Sequence, residues 1–559
     1  MIQEQPIPEA QVEAVLSAVL DRIRRKKSRC RKDPLRTATE ALFKDNDPVL
    51  EAVEADALGG MYEALLGFRL TPGRGRLEVE EDPAGRRRSG AFFTPRHIAE
   101  YAVREALGPH LAKGKNPAEL RVVDPAAGAG AFLMAAARSL GGNTAALTGV
   151  DCDSGALAAA GLALRRAFPH GGDPHLWTGD ALLHGPEAPL ESSSFDAVVG
   201  NPPFLNVKRG ALRHVHAELC ARYHTARGQY DSWSLFLELA LTLLRSGGRY
   251  ALVLPRPFLA SESYAGIRRT LLTRSTLERV AELGTPFPDA HVEAVVVVGV
   301  KGTRSRRLRF HDLTRTPPSS RSAPASASFL ALPNATISTE CGTKEMNFLL
   351  ETQRAPARLG DLVRIVRGIE CGKRHPAVFE RGAPGRMPLL RGDQVDSFRT
   401  TPAAFIDIGR VPESKLKPIP LFQRRPKLLV RRVAPTLKAA VDESGAFTLN
   451  TVYVLHPRDP AMAGDFYYCL SALLNSSLLG RYHRLAFAAN DRLFPYVRIS
   501  QLSMLPMPAV EALQGNAGAE LAALARKAHT KPDFSIRAEV DPIVNRMFEA
   551  YANEKEIPG

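Results

Sequence analysis

Asn201, Pro202, Pro203 and Phe204 follow the apolar run Phe195-Asp196-Ala197-Val198-Val199-Gly200, and their types suit one kind of chemistry. Proline cannot continue an inner strand ladder and confines the residue before it to extended backbone, so Asn201 and the Pro202 carbonyl are held in nearly fixed directions. They present two acceptors side by side, matched to the two hydrogens of one amino group. An exocyclic nitrogen such as N6 of adenine is a poor nucleophile because its lone pair is delocalised into the ring. Two acceptors that draw it towards tetrahedral geometry localise that lone pair and aim it at an electrophile. Phe204 is placed to stack on the base. No metal and no covalent nucleophile is required, because orientation and preorganised dipoles carry such a reaction.

A second set of residues lies upstream. "RVVDPAAGAGAFLMAAARSL" reads as a strand, a small-residue loop with Gly128 and Gly130, and a helix. Asp151 closes the next apolar run, "LTGVDCD", 21 positions after Gly130. A carboxylate there can accept both hydroxyls of a ribose; an N-cap role for Asp151 or Asp153 is the alternative. Asp180, in "WTGDALL", reaches the same sheet edge, where it can take an adenine amino group. Asp124 carries negative charge to the place a pyrophosphate would occupy. That pattern favours a cation, and S-adenosylmethionine, with its ammonium and sulfonium, fits it better than NAD.

These residues need a scaffold that brings strand ends to one edge. From about residue 120, short β-rich runs ("RVVDPA", "ALTGVD", "HLWTGD", "FDAVVGN", "GRYALVLP", "ERVAELG", "AVVVVGVKG") alternate with helix-like segments. The pattern predicts a doubly wound, seven-stranded α/β sheet. Its last two runs are separated only by "TPFPDAHVE", too short for a crossover helix, so they should form an antiparallel hairpin. Residues 1–85 read as a helical segment and 86–312 as the α/β domain. The Pro- and Ser-rich stretch around "TRTPPSSRSAPASAS" reads as a linker, 313–335. Residues 336–559 read as an α+β domain.

The chain has 559 residues, enough for two or three domains. Its formal net charge of +15 points to a polyanionic partner, with an Arg-rich compositional habit as the alternative. The basic run from Arg22 to Lys32 suits DNA phosphates or a solvated helix face equally. The 6 cysteines lack metal-ligand spacing, and neither a signal core nor a membrane-length apolar run is present. A soluble cytoplasmic protein is expected.

The chain resembles the gamma class of N6-adenine DNA methyltransferases of restriction-modification and related phage-defence systems. The resemblance runs from about residue 58 to 510 through "LGGMYEALL", "SGAFFTPRHIAEYAV", the glycine loop, Asp151, Asp180, "NPPF", "GQYDSWSLFLELALTLLRSGGRYALVLP" and "PFPDAHVEAVVVVGVKG". It continues in "MPLLRGDQV", "PKLLVRR" and "LLNSSLLGRYHR", in a region similar to that class's target-recognition domain. It implies a methyltransferase sheet followed by a DNA target-recognition domain. It also implies S-adenosylmethionine at Thr94, Asp124, Ala126, Gly128, Gly130, Asp151, Asp180 and Asn201, and the target base at Asn201, Pro202, Pro203 and Phe204. Thr94, followed by Pro95, is expected to cap a helix as well. Phe287 matches a position that meets the extruded base from another side; a core phenylalanine is the alternative.

Double-stranded DNA is the implied substrate, with a separate nuclease or defence protein as partner. Nuclease-fused members carry a large N-terminal metal-dependent domain, and fewer than 90 residues precede the core here, so modification without cutting is expected. Two rival readings stand beside it. One is a methyltransferase acting on RNA or on a protein side-chain amide; the other is a DNA-binding subunit that keeps the fold without activity. The basic C-terminal half, with "FQRRPKLLVRR" and "NDRLFPYVRI", argues against the first. The intact Asn201-Pro202-Pro203-Phe204 argues against the second.

Overall fold

A computed structural model describes residues 7–552, apart from 27–33, 73–76, 83–93, 185–187, 207–210, 288–291, 303–305, 416–418, 463, 488–495 and 531–534. The chain forms two compact units, Met1–Leu330 and Ala331–Gly559. Most of the basic run beyond Lys26, the Phe92-Phe93 pair and the first half of "NDRLFPYVRI" lie outside the described residues.

The first unit opens with helices α1 (Glu9–Lys26), α2 (Pro34–Lys44) and α3 (Leu58–Leu65), then strands β1 (Phe68–Pro72) and β2 (Leu77–Glu81). The helices are those of the expected helical segment, and the two strands add a hairpin at its end. Phe68-Arg69-Leu70 and Leu77-Glu78-Val79-Glu80 alternate with period two, and the two strands pair antiparallel, with an Arg69–Glu80 ion pair at 2.9 Å. This segment is not separate. Val15, Val19, Leu42 and Tyr62 belong to the same buried cluster as Val122 and Val199 of the sheet and Leu133 of the helix that packs on it. Arg22, in the basic run, is paired with Asp45 and, at 3.0 Å, with Asp47.

The α/β part continues with α4 (Arg96–Leu111), β3 (Val122–Asp124), α5 (Ala131–Ser139), β4 (Leu147–Asp151), α6 (Ser154–Ala167), β5 (His175–Thr178) and β6 (Phe195–Gly200). After them come α7 (His216–Arg222), α8 (Ser232–Leu243), β7 (Leu244–Pro255), α9 (Ala265–Arg274), β8 (Ser275–Gly284), β9 (Ala294–Lys301), β10 (Arg307–Asp312) and β11 (Ser319–Ala325). The sheet order is β11-β10-β8-β9-β7-β6-β3-β4-β5. β3 to β7 pair in parallel, while β9 runs antiparallel to both β7 and β8. The seven expected runs are therefore all strands of one sheet, with the expected antiparallel hairpin. The β-branched run of β9 suits its place there, buried on both faces between two partners.

Two further strands extend the sheet and correct the linker expectation: β11, within the Pro- and Ser-rich stretch, pairs antiparallel with β10. As an edge strand it buries Ala323 and leaves Ser319–Ser322 exposed, so it carries no apolar run that would mark it in the sequence. The compact unit accordingly extends to Leu330.

The second unit contains two four-stranded sheets. One is ordered Val363–Arg367, Val452–Pro457, Lys427–Arg431, Ala439–Asp442; the other Val378–Phe379, Ala404–Ile406, Met387–Leu390, Phe447–Thr448. Helices Asp465–Asn475 and Ser477–Ala486 are separated by Ser476, whose hydroxyl accepts from Leu479 N. Buried Asn475 donates to the carbonyls of Ala439 (2.7 Å) and Ser471 (2.9 Å) and accepts from Ala439 N (3.1 Å). "LLNSSLLGRYHR" thus ties a helix to an edge strand. No helix of the described residues is long and apolar enough to cross a membrane.

Candidate functional site

The carboxyl ends of β3, β4, β5 and β6 gather Asp124, Asp151, Asp180 and Asn201 along one edge of the sheet. The register sets this: Val123 of β3 lies opposite Val198 of β6 and Thr148 of β4. Loops leaving neighbouring parallel strands meet at a common edge, the usual binding position in such folds.

Asp124 is fully buried. Its Oδ1 accepts from Ala126 N at 3.0 Å, and Oδ2 has no hydrogen-bond partner among the described residues. Burial, reinforced by the nearby Asp151 carboxylate, pushes its carboxyl up from an ordinary 3.8 to about 8, against the pull of the Ala126 amide. Gly200, at the end of β6, has φ 153°, and a Cβ there would stand 2.5 Å from Asp124 Oδ1. Both the backbone and the carboxylate therefore demand glycine where β6 turns into the Asn201 loop.

The glycine loop divides its work. Gly130, with φ 89°, starts α5, and a Cβ there would meet Ala160 Cβ at 2.7 Å, so it serves helix packing. Gly128 faces open space. Its N–H donates to Asp151 Oδ2 (2.8 Å), while Asp151 Oδ1 accepts from Asp153 N (2.8 Å). Asp151 is thus braced from two sides by backbone, and its carboxyl is raised by burial in spite of those bonds. The cap of α6 is Asp153, which accepts from Gly155 N and Ala156 N. Asp180 Oδ1 accepts from Leu182 N at 2.8 Å.

Thr94 is buried and accepts from Asn201 Nδ2 at 3.1 Å. It does not cap α4. Pro95 is the N-cap, and its carbonyl accepts from Ile98 and Ala99 N, which shifts the helix start one residue beyond the expected Thr-Pro pattern. The Thr94 hydroxyl is thereby left to orient the Asn201 amide.

Phe204 is half-buried, with its ring centroid 6.4 Å from that of Phe287 at an interplanar angle of 73°. Phe287 is only 3% exposed and belongs to the core, which is the alternative placement weighed for it. It backs Phe204 edge to face.

The residues that hold this loop were not singled out in the sequence. Ser232 donates to the Pro203 carbonyl and accepts from Leu205 N (3.1 Å), and its own N–H donates to the Leu205 carbonyl (2.9 Å). Asp231 occupies the N-cap position of α8 without capping it. Its carboxylate instead accepts from Asn206 Nδ2 (2.9 Å) and from the Tyr264 hydroxyl. The available signal was the polar pair Asp231-Ser232 at the start of a predominantly apolar helix.

Asp124 also makes stability depend on pH. A carboxyl raised by folding binds its proton more tightly in the native chain, so native stability falls as pH climbs from 3.8 to about 8. Asp124→Asn should remove that decline and melt higher than wild type at the upper end. Thermal melting of both proteins across this range checks it; parallel curves would count against the buried, uncompensated carboxylate.

The geometry fits a cation at Asp124, because a buried carboxylate oxygen without a donor is costly unless a donor arrives. Open space beside Gly128, next to the braced Asp151 carboxylate, fits a polyhydroxyl group.

Residues 53–322 match the family model described as N-6 DNA Methylase, and residues 387–507 that of a TaqI-like C-terminal specificity domain. The chain is 27% identical over 445 residues to Type II methyltransferase M.TthHB8I of Thermus thermophilus, covering 76% of this chain and 92% of that protein. It is 26% identical over 242 residues to the Type I restriction enzyme EcoEI methylase subunit of Escherichia coli, covering 40% of this chain and 45% of that subunit. Among solved structures it is similar in fold to the Type IIL restriction-modification enzyme MmeI in complex with DNA. That likeness has a TM-score of 0.58 at 13% identity, over 90% of this chain and 80% of the other.

Proposed function

We propose that this chain, a member of the N-6 DNA methylase family with a TaqI-like C-terminal specificity domain behind it, transfers a methyl group from S-adenosylmethionine to N6 of an adenine in double-stranded DNA. It would act as the modification component of a restriction-modification or related defence system. The observation that carries the reading is the convergence of the buried Asp124 carboxyl, whose Oδ2 has no donor among the described residues, with the Asn201 loop, the two meeting at Gly200.

Asp124 would take the cofactor's ammonium, Gly128 would admit its chain against backbone, Asp151 would accept from the ribose hydroxyls, and Asp180 would accept from the adenine amino group. When bound, S-adenosylmethionine supplies an electrophilic methyl group. Thr94 orients the Asn201 amide by accepting from its nitrogen, which turns the side-chain oxygen towards the substrate. That oxygen and the Pro202 carbonyl accept the two hydrogens of the adenine amino group and align its lone pair. Ser232 and Asp231 keep the Pro-Pro segment from moving as the base arrives. The proton left on N6 departs to solvent, so no dedicated base is needed.

Adenine N6 is enclosed in the duplex, so the nucleotide must be rotated out, and Phe204 offers its ring as the stacking face with Phe287 behind it. One such stack is worth about 1 to 3 kcal/mol, a large part of the cost of unpairing a base. Binding to duplexes with 2-aminopurine at the target adenine should therefore raise fluorescence. Phe204→Ala should reduce capture of the base and slow methylation while overall DNA affinity, dominated by phosphate contacts, changes little. The deciding experiment offers radiolabelled S-adenosylmethionine with DNA, RNA and protein in parallel. Label on N6 of adenine in DNA supports the proposal; label confined to RNA or protein would overturn it.

A further inference from the structure

The motif "LGGMYEAL" forms α3, in the N-terminal helical layer, and the function proposed above makes no use of it. Gly59 and Tyr62 are three residues apart and so share one face of this helix. That face meets both halves of the cofactor cradle. A Cβ on Gly59 would lie 2.8 Å from the Ala129 carbonyl oxygen, inside the glycine loop. Tyr62, fully buried, donates its hydroxyl to Asp153 Oδ1 at 2.8 Å. Gly155 leaves the room for that hydroxyl, since a Cβ there would come within 2.3 Å of it. Burial first, and then the Asp153 carboxylate, hold the phenol well above its ordinary range, so it stays a donor.

Asp153 is thereby engaged on every side. Oδ1 accepts from Gly155 N (2.9 Å) and Ala156 N (3.2 Å) as well as from Tyr62, and Oδ2 accepts from Arg36 Nη2 (2.8 Å). Its own N–H donates to Asp151 Oδ1, and Asp151 Oδ2 accepts from Gly128 N. An unbroken series of contacts runs from Tyr62 through Asp153 and Asp151 to Gly128, and Gly59 presses on the same loop one residue further along.

We infer that α3 is a positioning element for the cofactor cradle, with Tyr62 setting the Asp151 carboxylate through Asp153 and Gly59 setting the glycine loop through Ala129. This rests on the reading that Asp151 and the glycine loop hold S-adenosylmethionine. The N-terminal layer then acts on cofactor affinity without touching the cofactor.

The test is calorimetric titration of the full-length chain with S-adenosylhomocysteine and with its 2′-deoxy analogue. Tyr62→Phe keeps the ring that packs edge-on against Phe43 and removes only the hydroxyl. It should weaken S-adenosylhomocysteine binding about fivefold, the worth of one net hydrogen bond. The turnover rate at saturating cofactor and DNA should be unchanged. The penalty should shrink with the 2′-deoxy analogue, because Asp151 then has less to grip. Gly59→Ala, which adds only a methyl against Ala129, should lower affinity in the same direction. Amide hydrogen exchange at Asp153 and Gly128 in the ligand-free chain should quicken in Tyr62→Phe. Unaltered affinity in both variants would overturn the inference, as would an equal penalty with both ligands, which would make Tyr62 a packing residue. Failure of the wild-type chain to bind either ligand would instead remove the cofactor reading beneath it.

Discussion

Asn201→Ala is expected to lower methyl transfer by two to three orders of magnitude while S-adenosylmethionine binding changes little. Removing one preorganised polar group that acts on the reacting centre typically costs about 10²- to 10³-fold in turnover. The Asn201 side chain is tethered through its nitrogen to Thr94 and follows β6, whereas the groups assigned to the cofactor, Asp124, Asp151 and Asp180, lie at or just beyond the ends of β3, β4 and β5. Gly200 connects the two sets and is unaffected by the change, so the Asp124 contact should survive. Single-turnover methylation of a duplex, with calorimetric cofactor binding alongside, separates the two effects. Substantial turnover in the variant would mean that the amide is not one of the acceptors. Thr94→Val should give a milder version of the same defect, since it frees the amide to rotate without deleting it.

The second large effect is on stability, at a residue whose type would assign it elsewhere. Lys427, in the basic "PKLLVRR", is wholly buried and ion-paired with Asp442, itself only 1% exposed. Burial pulls the ammonium down from its ordinary range, and the carboxylate beside it opposes that pull. Asp442 also accepts from Ser444 N (3.2 Å), from the Ser444 hydroxyl (2.6 Å) and from Ala446 N (3.1 Å), so it holds the turn after its strand as well. Removing one partner of a buried pair costs about 3 to 5 kcal/mol, because the other charge is left uncompensated. That is a large share of the roughly 5 to 15 kcal/mol by which a domain is stable. Lys427→Ala should therefore sharply lower the urea midpoint of the second unit's transition, and Asp442→Ala should lower it further because the turn is lost too. Stability within about 1 kcal/mol of wild type, the usual worth of an exposed pair, would show that the pair is not buried in solution.

The strand ends and loops that carry the candidate site were legible in the sequence because local rules govern them. Two prolines after an apolar strand restrict Asn201 whatever surrounds it. A glycine loop followed at 21 positions by Asp151 is a spacing that one strand, turn, helix and strand produce on their own. The alternation of β-rich runs with helices likewise determines a parallel sheet, and the short connection before β9 determines its antiparallel end, because chain length alone limits the connection.

Tertiary structure decided whatever depends on partners far apart in sequence. That the Thr94 hydroxyl serves Asn201 and not the start of α4 follows from two segments 107 positions apart meeting. Phe287 could be read as a substrate contact until the core enclosed it. β11 shows no apolar pattern, because an edge strand needs hydrogen bonds from one neighbour and little burial. Lys427 looks like a DNA contact by its type, and only Asp442, on the neighbouring strand, turns it into a structural charge. The N-terminal helices offered a basic run and no catalytic motif of their own. Their place became legible once folding set Gly59 and Tyr62 against the glycine loop and Asp153, since a packing face acquires meaning only from what it packs upon.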